Sequence, residues 1–162
     1  MTLSPALLER LRREFTLDWN GIHGAPHWAR VRLFGLRLSA LTGANPRVVE
    51  AFAFLHDSQR RNDDFDHLHG HLAALYARSL PRSVLDLDAA ELDLLAEACD
   101  GHSHGLTEGN ITVRTCWDAD RLDLGRVAIR PDPARLCTEA ARDPGLIRWA
   151  YALSIRGGVV ET

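Results

Sequence analysis

The chain has 162 residues and a formal net charge of -3, with 46% hydrophobic and 25% charged residues. That length suits one compact domain, and the composition is close to the average of a soluble globular protein, which excludes wholesale disorder. The slight negative charge argues against nucleic acid as a partner, because polyanion binders concentrate positive charge on one face.

No apolar run approaches the ~20 residues needed to span a bilayer, so no membrane association is expected. The start Met1-Thr2-Leu3-Ser4-Pro5 lacks the basic and then apolar pattern of a signal peptide. Cys99, Cys116 and Cys137 are scattered and odd in number. This suits reduced thiols rather than a disulfide framework, and the expected location is cytoplasmic.

The predicted elements are helical. Ser4-Pro5, Asn45-Pro46, Asp132-Pro133 and Asp143-Pro144 each place a capping residue before a proline, the pattern of a helix start. Leu7, Leu8, Leu11 and Phe15 mark the first amphipathic face. Trp28, Val31, Leu38 and Leu41 mark a second helix, from near Pro26 to Gly43. Val48, Val49, Phe52 and Leu55 define a third, running into His56-Asp57. A fourth is expected from about Asp66 to Leu80, with Leu68, Leu72, Leu75 and Tyr76 inward. Asp88 and Glu91 form a capping-box pair ahead of Leu92, Leu95 and Cys99. Residues 110–114 alternate in a β-like way, too briefly for a sheet. Two further helices are expected at roughly 133–142 and 144–155. The fold class is therefore all-α, a single-domain helical bundle.

The eight histidines sit mostly at helix ends and in polar connections. His56-Asp57 directly follows the apolar run Ala51-Phe52-Ala53-Phe54-Leu55. A carboxylate in such a place is costly unless it is paired or bound to a metal. His27, in the first turn of the second helix, and Asp120, in Trp117-Asp118-Ala119-Asp120-Arg121-Leu122-Asp123, are further candidate ligands. Imidazole and carboxylate together suit manganese, iron, cobalt, nickel or zinc, whereas the lack of paired cysteines argues against a structural zinc site.

The ordered set His27, His56-Asp57 and Asp120 resembles the signature of the HD-domain superfamily of metal-dependent phosphohydrolases. The flanks match too, in His27-x-x-Arg30-Val31, Leu55-His56-Asp57-Ser58 and Ala119-Asp120-Arg121-Leu122. The likeness covers roughly residues 20–130 and is strongest to small bacterial HD proteins carrying H-G-x-x-H-W-x-R-V and C-W-D-A-D-R-L-D-L-G-R-V. It implies one HD-like helical domain over 1–162, a motif-bearing core at about 20–130 and C-terminal helices at 131–158.

The resemblance also implies a divalent metal (manganese, iron, cobalt, nickel, zinc or magnesium) held by His27, His56, Asp57 and Asp120. Some HD families hold a second metal with histidines between the His-Asp pair and the last aspartate. His69, in His67-Leu68-His69-Gly70-His71, and His102, in His102-Ser103-His104, fill that interval. His67, His71 and His104 are read as solvent-facing or supporting. The implied activity is hydrolysis of a phosphate ester, with a nucleotide as the expected class, by metal-activated water, with Asp57 at the catalytic centre.

Asp118 and Asp123 are candidate proton acceptors or arginine partners. Arg30 and Arg61 are the candidate phosphate contacts among Arg30, Arg60, Arg61, Arg121 and Arg126, because guanidinium matches phosphate oxygens. His23 is placed beside the site as a substrate-contacting group, and Trp28 and Trp117 are read as core. Ser58 lacks a nucleophile-elbow context, Cys116 sits in apolar surroundings, and 101–109 lacks a phosphate-loop pattern. The alternative function is a metal- or nucleotide-binding sensor domain without turnover. Homo-oligomers are compatible with the sequence.

Overall fold

The computed structural model describes residues 3–157. The extreme ends of the expected 1–162 domain, Met1-Thr2 of the expected leaderless start and residue 158 of the expected C-terminal helices lie outside the described residues. Among those described, seven α-helices occur and no strand. They are α1 (Pro5–Glu14), α2 (Ala25–Thr42), α3 (Pro46–Leu55), α4 (His69–Ser79), α5 (Ala89–Gly101), α6 (Ile111–Arg121) and α7 (Pro144–Ile155). A 3₁₀ segment, Leu122–Val127, continues α6 directly. No helix among the described residues is long and apolar enough to cross a membrane.

The caps form as their chemistry dictates. Ser4 accepts from the amide of Leu7, Asn45 from Arg47 and Asp143 from Leu146, each with proline in the first turn. Asp88 and Glu91 close a reciprocal capping box on α5. α2 packs against α3 and α6, α4 against α5, and α7 against the 122–127 segment. Trp28, Phe34, Leu38, Phe52, Leu55, Leu95, Trp117 and Leu122 fill the space between them.

Three segments depart from the sequence expectation. The residues that alternate like a strand, 110–114, instead open α6, with Asn110 as its cap accepting from the Thr112 amide. Ile111, Thr112, Val113 and Thr115 are β-branched and weak helix formers. Burial of Val113, Cys116, Trp117 and Ala119 at helical spacing overrides that preference.

The helix expected at 133–142 is only a 3₁₀ turn, Pro133–Arg135. Beyond it, the amides of Cys137 and Thr138 donate to the Asp118 carboxylate, and Arg142 takes the Leu136 carbonyl. Groups that would continue a helix are thereby committed elsewhere.

α4 starts at His69 rather than Asp66, and Leu68 and Leu75, expected inward, are 60% and 53% exposed. Leu41 of α2, likewise expected inward, is 63% exposed. The buried face of α4 is small: Gly70, Ala73, Ala74 and Ala77. A Cβ on Gly70 would lie 2.5 Å from the Cys99 carbonyl oxygen, so α4 and α5 approach as closely as their backbones allow. That approach brings His69, at the start of one helix, against His102, just past the end of the other.

Gly70→Ala is therefore expected to destabilise the protein by about 1–3 kcal/mol through overpacking. Leu75→Ala, on the exposed side of the same helix, should stay within about 0.5 kcal/mol. Urea denaturation of both variants checks the contrast.

Candidate metal centre

His27 stands in the first turn of α2, His56 and Asp57 directly follow α3, His69 opens α4, His102 follows α5 and Asp120 lies in the last turn of α6. Five helix ends thus converge on one point. All six side chains belong to groups compact enough to hold a cation.

The first group is His27, His56, Asp57 and Asp120. The Nε2 atoms of His27 and His56 are 3.1 Å apart. His27 Nε2 lies 3.5 Å from Asp57 Oδ2 and 3.4 Å from Asp120 Oδ1, and His56 Nε2 lies 3.6 Å from each of the same oxygens. The second group uses the other oxygen of Asp57. Asp57 Oδ1 is 3.3 Å from His69 Nε2 and 3.5 Å from His102 Nε2, and these two nitrogens are 2.9 Å apart. Donor atoms bound at ~2.0–2.2 Å to a shared ion sit at about such spacings from one another.

The tautomers add a second test of fit. Each imidazole turns its Nδ1 to an oxygen: His27 to Asp123 Oδ2 (2.7 Å), His56 to the Phe52 carbonyl (3.0 Å), His69 to the Asp66 carbonyl (2.6 Å) and His102 to the Cys99 carbonyl (2.7 Å). Those acceptors hold the proton on Nδ1, so in a neutral ring the Nε2 lone pair points inward. Facing lone pairs at 3.1 and 2.9 Å repel unless a proton or a cation lies between them. The residues present fit one or two divalent ions.

The charges agree with that fit. Burial opposes ionisation of Asp57, but the surrounding histidines hold its carboxyl well below the usual range. Asp120 is held low against burial by His27 and His56. Burial and Arg126 disfavour a proton on His27, yet the carboxylates of Asp120, Asp123 and Asp57 outweigh them and raise it to about 9. Burial pushes His56 down.

Several candidate residues do other work. Asp123, read as a proton acceptor or an arginine partner, is buried with both oxygens engaged and pairs with Arg30. It receives His27 Nδ1, Arg30 Nε at 2.6 Å and Nη2 at 3.0 Å, and the Ser154 hydroxyl at 2.6 Å. It orients His27 and is not available to a water. Arg30, read as a phosphate contact, is buried and clamped to Asp123 instead.

Asp118, read likewise as a proton acceptor or an arginine partner, is buried and instead accepts from the amides of Cys137 (2.6 Å) and Thr138 (2.9 Å) and from the Thr138 hydroxyl (2.7 Å). It anchors a connection. Arg61 is exposed, and its amide donates to Asp66. Its neighbour Arg60 is the one at the centre, with Nε 3.0 Å from Asp57 Oδ1.

His23 is buried with Nδ1 2.8 Å from Asp63 Oδ1, and it feels the charges of Asp57, Arg60 and Arg126. His67, His71 and His104 are exposed. The buried thiols of Cys99, Cys116 and Cys137 are pushed up by burial, as suits inert groups.

Ser154 of α7 and the backbone acceptors Phe52, Asp66 and Cys99 carry no sequence signal for their roles. Arg60 has one, since three residues after Asp57 puts it within a turn of the same backbone.

A cavity of about 590 Å³ has His102 and Asp120 in its wall. Leu124, Ile129, Pro131 and Leu136 form an apolar side, with Arg130 and Arg135 also in the lining. A larger depression of about 920 Å³ contains none of the six clustered residues.

No protein-family model and no curated protein matches the chain. In three dimensions it is similar to the crystal structure of a predicted HD superfamily hydrolase from an uncultured Thermotogales bacterium. The TM-score is 0.70 and the identity 23%, over 93% of this chain and 86% of that one. The chain has the HD-domain fold.

Two outcomes follow from the centre. A cation requires His27 Nε2 without its proton, which it holds below about 9. Metal affinity should therefore rise with pH up to about 9, by up to about tenfold per unit, and level off above it. Calorimetric metal titrations in buffers of different ionisation enthalpy should register proton release at pH 7. Asp123→Asn, which weakens the hold on His27, should reduce metal affinity about 10- to 100-fold while leaving the helical circular dichroism intact.

Proposed function

We propose that the chain is a metal-dependent phosphohydrolase acting on a small phosphate ester, with a nucleotide as the preferred class. The observation that carries this reading is the buried convergence of four Nε2 lone pairs on two carboxylates, one of which turns an oxygen to each pair of histidines. The HD-domain fold, shared with a predicted HD superfamily hydrolase, supports it.

In this reading His27, His56, Asp57 and Asp120 hold one divalent cation, and Asp57, His69 and His102 hold a second. When bound, such an ion lowers the pKa of water from ~15.7 toward neutrality and offsets charge on phosphoryl oxygens. The residues of the chain supply the rest. Arg60 and Arg126, both within reach of His23, add positive charge where a phosphoryl group would develop negative charge. His23, its Nδ1 held by Asp63 and its pKa lowered by burial, is suited as a neutral imidazole to accept a proton from water, since Asp118 and Asp123 are fully engaged elsewhere. The cavity beside His102 and Asp120 accommodates the organic part of the ester against Leu124, Ile129 and Leu136. Guanidinium groups at Arg130 and Arg135 suit an anionic ligand there.

Metal analysis of protein purified without chelators, followed by a panel of nucleotides and aryl phosphates, tests this directly. Asp57→Ala should lose the metal and turnover while keeping its helical circular dichroism. Undiminished hydrolysis by a folded, metal-free Asp57→Ala protein rejects the scheme. A metal-loaded wild type inert to the whole panel points to a sensor domain instead.

A further inference from the structure

The 920 Å³ depression lies between the C-terminal part of α2, the start of α6 and the approach to α7, and the proposed reaction makes no use of it. Three arginines line it: Arg37, Arg114 and Arg142. None of them forms an ion pair with a carboxylate among the described residues; Arg114 is half-buried, and Arg37 and Arg142 are exposed.

Their remaining contacts hold them in place without neutralising them. Arg37 stacks on the Trp149 ring at 4.3 Å. Arg142 grips the Leu136 carbonyl through Nε and Nη2 at 3.1 and 2.9 Å. Arg114 reaches the Cys137 carbonyl at 3.4 Å, and its Nε is buried with no hydrogen-bond partner. A buried charged donor without an acceptor is costly, and an anion in the depression that Arg114 lines would offset part of that cost.

Two acids in the lining, Glu139 and Asp143, offset part of this charge, and three arginines against two carboxylates leave the lining net positive. Asp143 also caps α7 through the Leu146 amide. Thr42 and Thr138 add hydroxyls to the wall.

We propose that this depression is a second binding site, for a small oxyanion of the phosphate or phosphate-ester class, separate from the metal centre. Three guanidiniums lining one depression supply the planar donors that phosphate oxygens take up.

The site is also wired to the first cavity. Leu136, whose carbonyl Arg142 holds, lines the cavity beside His102 and Asp120, and the adjoining Cys137 and Thr138 are tied to Asp118, two residues from Asp120. An anion drawing on Arg114 and Arg142 therefore bears on the wall where an ester would lie.

The test is an NMR titration of the ¹⁵N-labelled full chain with inorganic phosphate at constant ionic strength. Saturable shifts are expected at the Arg37 and Arg114 Nε–H signals and at amides 138–143. The Arg37→Gln/Arg142→Gln double variant should bind about tenfold or more weaker, as charge-assisted contacts are lost. Glu139→Gln, an exposed change, should bind more tightly and keeps the test decisive if the double variant does not fold. The absence of saturable shifts at these positions overturns the proposal. So do shifts confined to the surroundings of His102 and Asp120, or affinity unchanged in all the variants.

Discussion

Everything in this fold is arranged around the cost of burying Asp57. Removing a carboxylate from water costs several kcal/mol even after relaxation, and Asp57 is almost completely buried directly after an apolar helix. Its compensation comes from five side chains: His27 and His56 on one oxygen, and His69, His102 and Arg60 on the other. Those partners come from α2, α3, α4, α5 and the loop behind α3, so no helix could shift far without stranding a buried charge. Apolar packing is non-directional and would tolerate small slips of one helix on another. The carboxylate supplies the direction.

The residues of the buried cluster could be read from the sequence because they violate local expectations. An acid after Ala51-Phe52-Ala53-Phe54-Leu55 has no packing reason to be there, and its buried position in the structure shows the same conflict. Which of the five clustered histidines turn inward depends on how α4 and α5 meet. His69 is brought inward with Gly70 by the close α4–α5 approach, while His67, His71 and His104 face solvent. The all-helical class was equally legible from capping residues ahead of prolines.

What stayed illegible depended on partners distant in the chain. Asp118 and Asp123 look alike beside Asp120, yet one is spent on the backbone at 137–138 and the other on His27, Arg30 and Ser154. Local spacing carries no information about those choices. The same holds for Arg30 and Arg60, since a guanidinium beside a motif serves a phosphate or a carboxylate according to which acid lies in reach. α6 was hidden for a different reason, because its β-branched start is a poor helix former that becomes helical only when Trp117 and Cys116 can be buried against other helices.

The four tautomers carry the argument one step further. Three of the imidazoles are oriented by carbonyls just upstream in the chain, of Phe52, Asp66 and Cys99, three or four residues before the ring they hold. Their aim is therefore set by local backbone, and it persists as long as the helix end does. His27 is the exception. Its Nδ1 meets the side chain of Asp123, ninety-six residues away, which is itself fixed by Arg30 and by Ser154 of α7. The cluster thus has three locally determined members and one whose aim depends on the C-terminal helix being docked. This makes α7, remote from the cluster in sequence, a determinant of how His27 is aimed into it, and it explains why a serine is buried against a carboxylate at the far end of the chain.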